Sequence, residues 1–172
     1  MNEPFNTRRF QAGDAEKVSA LIVHTLKTTN AKDYSAEYIE RIAKKFSPFS
    51  VIERAEQTHL YVICQGESIV GCGAIGPHFD RADECGLFNI FVLPECQGQG
   101  IGKMIMEALE HDDLYSNAKR IEIAASITAC EFYRKLGYTY KNADKSLDEN
   151  QLFRLEKLRG DHDGAYACRS IR

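Results

Sequence analysis

The stretch Gly86-Leu87-Phe88-Asn89-Ile90-Phe91-Val92-Leu93-Pro94-Glu95-Cys96-Gln97-Gly98-Gln99-Gly100-Ile101-Gly102-Lys103 decides how this chain is read. Its first seven residues are almost continuously apolar, the mark of a strand covered on both faces. From Ile101, apolar Met104, Ile105, Ala108 and Leu109 recur at helical spacing, so a helix follows. Pro94 to Gly100 then joins a buried strand to a helix start. Such a start leaves N–H groups unpaired and carries the positive end of the helix dipole, which suits a pyrophosphate. Glycines let the backbone approach phosphate oxygens with no side chain in the way.

Three phosphate-binding patterns compete for this loop. A Walker loop needs Gly-x-x-x-x-Gly-Lys-Ser/Thr, but Gln97 stands at the first glycine and Met104 follows Lys103. The dinucleotide fingerprint Gly-x-Gly-x-x-Gly fails because Gly98, Gly100 and Gly102 fall on every second residue. The third pattern, Gln/Arg-x-x-Gly-x-Gly/Ala, fits Gln97, Gly100 and Gly102 without adjustment.

On those residues the chain resembles the GNAT superfamily of N-acetyltransferases. Val92-Leu93-Pro94 and Gly100-Ile101-Gly102-Lys103 extend the likeness to both flanks. A second block, Ala129-Cys130-Glu131-Phe132-Tyr133-Arg134-Lys135-Leu136-Gly137-Tyr138, resembles the family's late helix beside the cofactor thioester. The resemblance runs from Thr7 to about Leu158 and is specific in these two blocks. It implies an α+β fold of three layers: a mixed, mostly antiparallel sheet of about six to seven strands flanked by about four helices. The fourth and fifth strands splay to admit a pantetheine arm. It also implies acetyl-CoA as co-substrate, with no metal. The cofactor contacts would come from Ile90, Phe91, Val92, Gln97, Gly98, Gln99, Gly100, Ile101, Gly102, Lys103, Ser126 and Tyr133. Ser126 stands where many relatives carry an asparagine.

Outward from the loop, the pattern fills in as one domain over residues 1–158. Thr7 to Gln11 reads as a first strand, and Asp14 as the cap of a helix carrying Val18, Leu21, Ile22 and Leu26. Ser35 caps a second helix with Tyr38, Ile39, Ile42, Ala43 and Phe46, which Pro48 helps to end. His59–Cys64 and Ile69–Ile75 form a hairpin, where Gly71 and Gly73 signal a bulge or a close backbone approach. Pro77 to Glu84 reads as a polar loop, and His111-Asp112-Asp113 as the solvated end of the helix from Ile101. Lys119–Ala125 is a strand, Thr128–Leu136 a helix stopped by Gly137, and Tyr138–Tyr140 and Leu152–Leu158 closing strands. Residues 159–172 lose periodicity and read as a loose tail.

Composition narrows the class. The chain has 172 residues, 44% hydrophobic and 27% charged, enough for one sizeable core. A net charge of −3 argues against nucleic acid as the partner. No apolar run reaches the roughly 20 residues of a membrane span, and the first nine residues lack a signal-peptide core. The six cysteines show no Cys-x-x-Cys pair, so reduced thiols in a cytoplasmic protein are expected. His24, His59, His111 and His162 have no partner at metal-ligand spacing.

Acyl transfer to an amine asks for a base, because an amine with pKa about 10 is mostly charged at neutral pH. It also asks for hydrogen-bond donors on the thioester carbonyl, an acid for the leaving sulfur, and alignment of both substrates. Tyr133 is the candidate acid by resemblance. The carbonyl donor is a backbone N–H at Phe91 or Val92. No glutamate occurs between Gly86 and Val92, so Glu84, beside Asp83 and His78, is the candidate base. A water chain ending at Asn89 or a backbone carbonyl is the alternative. The acceptor would be a small-molecule or peptide amine, used by a monomer or homodimer. By resemblance, Thr29 to Tyr38 would shape acceptor choice. Two rivals remain: an acyl-CoA-binding regulatory module without transfer, and a nucleotide-binding protein using the same helix start.

Overall fold

The computed structural model describes residues 3–78 and 81–160, which include every element expected from the sequence up to Leu158. The loose tail expected at 159–172 lies, from residue 161 on, outside the described residues. In chain order the elements are β1 (Phe5–Arg9), α1 (Ala15–Thr28), α2 (Ala36–Ala43), α3 (Pro48–Gln57), β2 (His59–Gln65), β3 (Ser68–His78), β4 (Arg81–Val92), α4 (Ile101–Glu110), α5 (Asp113–Asn117), β5 (Arg120–Ala125), α6 (Cys130–Lys135), β6 (Thr139–Tyr140) and β7 (Phe153–Leu158). The strands make one seven-stranded sheet in the order β1-β2-β3-β4-β5-β7-β6. Neighbours are antiparallel except β4 and β5, which are parallel.

Alternation along the strands sorts the core into two faces. Ile63, Ile75, Leu87, Ile121 and Ile123 pack with Ile101, Ile105 and Leu109 of α4. Leu60, Val62, Cys72 and Ala74 pack with Val18, Leu21 and Ile22 of α1 and with Tyr34, Tyr38 and Phe46. Helix, sheet and helix form three layers, as expected. Gly71 and Gly73 lie on the α4 side of β3, and the close approach they signalled is real. A Cβ at Gly71 would fall 2.8 Å from Ile105's neighbour Ile101 Cγ2, and one at Gly73 would fall 2.3 Å from Ile105 Cγ2. α4 therefore rests on bare backbone.

Five expectations need correction. Asp14 does not cap α1 with its side chain: its carboxylate accepts from Arg8 and from the Gln11 N–H instead. Pro48 does not terminate α2, which stops at Ala43. Instead Ser47 accepts the N–H of Ser50, and Pro48 opens α3, where its missing N–H is harmless. The polar stretch Pro77 to Glu84 is mostly strand: β3 runs to His78 and β4 starts at Arg81. Asp112 is buried, not solvated. It caps α5 through the Leu114 N–H and accepts hydrogen bonds from Tyr61 and His59 at 2.7 and 2.8 Å. Burial raises its carboxyl, but these bonds outweigh that and hold it below the ordinary range. Finally, β4 is covered on both faces only from Cys85 to Leu87; from Phe88 to Val92 it is partly open.

That last difference has a visible cause. β4 pairs with β5 at Glu84↔Arg120, Cys85↔Ile121, Gly86↔Glu122 and Leu87↔Ile123, and there the ladder ends. On its other side β4 slips by one residue against β3, so that Asn89 and Ile90 together oppose Gly73. Asn89 takes φ +53°, a left-handed conformation that asparagine tolerates better than most residues. Such a bulge bends and twists its strand. Beyond it β4 departs from β5, while Ala124 and Ala125 stay paired with Arg154 and Phe153 of β7. The expected splay between the fourth and fifth strands is present.

The closed end is held by charge as well. Glu122, 2% exposed, accepts from Arg154 and from Lys141 at 2.8 Å, and His78 Nε2 lies 3.0 Å away. Burial raises its carboxyl, but the Lys141 and Arg154 hydrogen bonds outweigh that and hold it down to about 2.

Candidate active site

The mouth of the splay is built from the loop after β4. Pro94–Cys96 makes one tight helical turn, and Gln97 leaves it extended. The Gln97 side chain donates to the Val92 carbonyl at 3.2 Å and to Thr29 Oγ1 at 3.1 Å, tying the loop to the strand end and to α1. Gly98 and Gly100 have φ of +79° and +82°, values costly for other residues, and a Cβ at either would meet only open space. Gly100 caps α4 without any side-chain hydrogen bond, and the first turn of α4 holds no acidic residue. Its first N–H groups have no partner within the helix and carry the positive end of the dipole, which suits an anion.

Backbone pairing selects between the two donor candidates. The Leu93 N–H donates to the Val70 carbonyl at 2.9 Å. Successive N–H groups of a strand point to opposite edges, so that of Val92 points away from β3 and into the splay. The Val92 carbonyl lies on the same edge, where it accepts from Gln97 and from Thr25 Oγ1. Phe91 turns its N–H back toward β3.

The two sequence blocks meet in space. A Cβ on Gly102 would lie 3.1 Å from Phe132 Cζ, so the glycine lets α6 close on α4. Tyr133 follows, 4% exposed, its ring 5.1 Å from that of Phe132. Burial alone pushes its phenol above the ordinary value, which favours the protonated form. Ser126 sits at the end of β5, where its hydroxyl accepts the Ala129 N–H at 3.2 Å. Ile90 packs on the α4 face, Gln99 donates to the Glu95 carbonyl at 3.4 Å, and exposed Lys103 lies 3.8 Å from Glu107.

Glu84 is not brought to the splay. It opens the closed ladder and lies 2.9 Å from Arg81 and 3.7 Å from Arg120. At about 3.3 Å per residue it is about 16 Å along β4 from Asn89. The open half of β4 carries no carboxylate. Sequence reasoning also missed three supports of the site. Asn89 forms the bulge, while Thr25 and Thr29 at the end of α1 hold Val92 and Gln97. The asparagine was the readable signal; the threonines gave none.

The geometry can be set beside known proteins. Residues 56–140, from the end of α3 through β6, match the acetyltransferase (GNAT) domain. This chain carries that domain and belongs to the GNAT family. Comparison of the sequence with curated proteins finds no match. Similar solved structures include the PaiA N-acetyltransferase of Thermoplasma acidophilum in complex with coenzyme A. It shares 20% identity over 91% of this chain and 99% of its own, with a TM-score of 0.76. A GCN5-related N-acetyltransferase of Rhodopseudomonas palustris gives 21% identity, 92% and 98% coverage, and a TM-score of 0.73. A GNAT family acetyltransferase of Brucella melitensis in complex with acetyl-CoA gives 18% identity, 92% and 90% coverage, and a TM-score of 0.62. At these identities the likeness is one of fold. Among the described residues of this GNAT chain no group of three or more His, Cys, Asp or Glu could hold a metal ion. No helix there is long and apolar enough to cross a membrane.

Proposed function

We propose that this GNAT chain transfers an acetyl group from acetyl-CoA to a primary amine, of a small molecule or a peptide, within a single domain. The observation that carries the reading is the splay itself: an unpaired Val92 N–H inside it and an uncapped helix start at its mouth. Acetyl-CoA has groups for both, a pyrophosphate at one end and a thioester carbonyl at the other. The backbone N–H groups of Ile101, Gly102 and Lys103 would hold the pyrophosphate, with Gly98 and Gly100 leaving room for it. Bound acetyl-CoA supplies the activated acyl group. Val92 N–H donates to the carbonyl oxygen as negative charge grows there, a task worth about 3 kcal/mol for one well-placed donor. Tyr133 stays protonated in its buried seat and donates to the departing sulfur.

The proton on the incoming amine leaves by water toward the carbonyls of the open half of β4, since Glu84 is engaged with Arg81 and Arg120. The lack of a carboxylate on that half also favours a second reading, an acyl-CoA-binding module that performs no transfer. Release of free CoA from acetyl-CoA across a panel of amines separates the two. Transfer predicts amine-dependent release, and Tyr133→Phe should lower kcat by about 100-fold with acetyl-CoA affinity little changed. Tight acetyl-CoA binding with no release for any amine would establish the module instead. Equal turnover in Tyr133→Phe would remove the acid role.

A further inference from the structure

Of the four large apolar side chains exposed among the described residues, Phe88 is the one on β4. It is 37% exposed, while every other residue of β4 from Cys85 to Val92 is buried or half-buried. The strand makes a place for its ring. A Cβ on Gly86, two residues earlier on the same face, would fall 2.9 Å from Phe88 Cε2, closer than such atoms approach. Gly86 has no positive φ that would call for a glycine. Its missing side chain instead lets the ring lie back over the strand, with the outer side of the ring left to solvent.

Register places this ring at the fork of the sheet. The last β4–β5 pair is Leu87↔Ile123, so Phe88 and Ala124 are the first residues past it. Leu87 and Ile123 pack in the cluster beneath α4, so Phe88 and Ala124 face the other way, and both are exposed. On the acetyl-transfer reading, acetyl-CoA is held at the start of α4, which leaves the opposite side of the fork to the amine. Back along that face the strands carry charge, but it is already matched. Glu84 meets Arg81, Arg120 meets Glu156, and Glu122 meets Arg154 and Lys141. What lies open at the fork is an aromatic ring beside a methyl group. Such a ring takes a flat apolar group, offset or edge-on, with centroids about 4.5–7 Å apart.

We propose that Phe88 determines acceptor specificity by packing against a flat apolar group of the acceptor, so that the preferred substrate is an amine borne on an aromatic body. From Phe88 to Val92 is about 13 Å at about 3.3 Å per residue, so several bonds separate the reacting nitrogen from that group. The proposal rests on the acetyl-transfer reading above and adds the acceptor's chemical class to it.

The test compares 4-phenylbutylamine with butylamine, which lacks the ring, and with 1,4-diaminobutane, which carries a second cation in its place. Each is offered to the full chain and to Phe88→Ala, Phe88→Leu and Phe88→Tyr. The unaltered chain should favour 4-phenylbutylamine over butylamine by about tenfold in kcat/KM, the scale of one aromatic pair. Phe88→Ala should bring that ratio close to one, chiefly through KM. Phe88→Leu, which keeps an apolar cover over Gly86 but no ring, should lose most of the preference, and Phe88→Tyr should keep it. No preference in the unaltered chain, or a preference for the diamine, overturns the proposal. So does an equal loss for 4-phenylbutylamine and butylamine in Phe88→Ala with acetyl-CoA binding retained, which would show a structural role. Calorimetry of 4-phenylbutylamine on the CoA-loaded protein separates the two readings. Phe88-dependent binding without turnover would refute transfer and keep the ring site. Turnover of butylamine with no Phe88-dependent binding of 4-phenylbutylamine would do the reverse.

Discussion

Between Glu84 and Leu87, β4 is locked to β5 residue by residue and flanked by the buried Glu122 cluster; between Asn89 and Val92 the same strand has no β5 partner. The first half spends its backbone hydrogen bonds on the ladder and its charges on one another. The second half leaves a backbone N–H unpaired and carries no carboxylate. One bulge residue, Asn89 at φ +53°, separates them. The lesson is that the open half depends on the rigidity of the other. A gap keeps its width only if the strands on either side are firmly joined somewhere else.

The comparison can be broken at its closed end. Glu122→Gln should cost about 3–5 kcal/mol of stability, because it leaves Arg154, Lys141 and His78 without their shared carboxylate. Urea unfolding measures this, and a change below about 1 kcal/mol would show that the cluster does not hold the strands. Folded Glu122 titrates at about 2 against an ordinary 4.5. Its contribution is therefore complete above about pH 4.5 and is lost as pH falls toward 2. Acid unfolding of Glu122→Gln should be correspondingly flatter over that window.

At the seat of α4, Gly73→Val should destabilise by about 1–3 kcal/mol, since even its Cβ would fall 2.3 Å from Ile105 Cγ2. Acetyl-CoA affinity should drop in the same variant as the helix start is pushed outward. Full affinity in a folded Gly73→Val would show that the cradle does not depend on this contact.

The smallest effect sharpens the contrast. Glu84→Gln should cost less stability than Glu122→Gln, since Glu84 meets two arginines where Glu122 meets a larger cluster, and should leave the pH–rate profile as it was, because Glu84 belongs to the ladder. Loss of the acidic limb of that profile would make Glu84 the base after all.

Much of this division was legible from residues alone. Gly71 and Gly73 announced a close approach because a strand interior rarely gives up two side chains without a neighbour in their place. Gln97, Gly100 and Gly102 marked the turn that opens α4, and Phe132-Tyr133 the helix that closes on it. What stayed hidden was set by tertiary contact. Pro48 reads as the end of one helix, and only packing against α1 and β2 makes it the start of another. Asp112 looks solvated until α5 folds and brings it to Tyr61 and His59. Nothing near Glu122 in the sequence announces Lys141 and Arg154, which reach it from far along the chain.

Gly71 and Gly73 have a further consequence, for measurement. By letting α4 settle onto bare backbone of β3, they set the height of the helix start relative to Val92 on the next strand. The span from the cradle to that N–H is then fixed by atoms in hard contact rather than by a loop free to drift. On the acetyl-transfer reading proposed above, a molecule with an anion at one end and a carbonyl at the other would be gauged against that span as if by a caliper. One a few bonds too short or too long cannot satisfy both jaws at once.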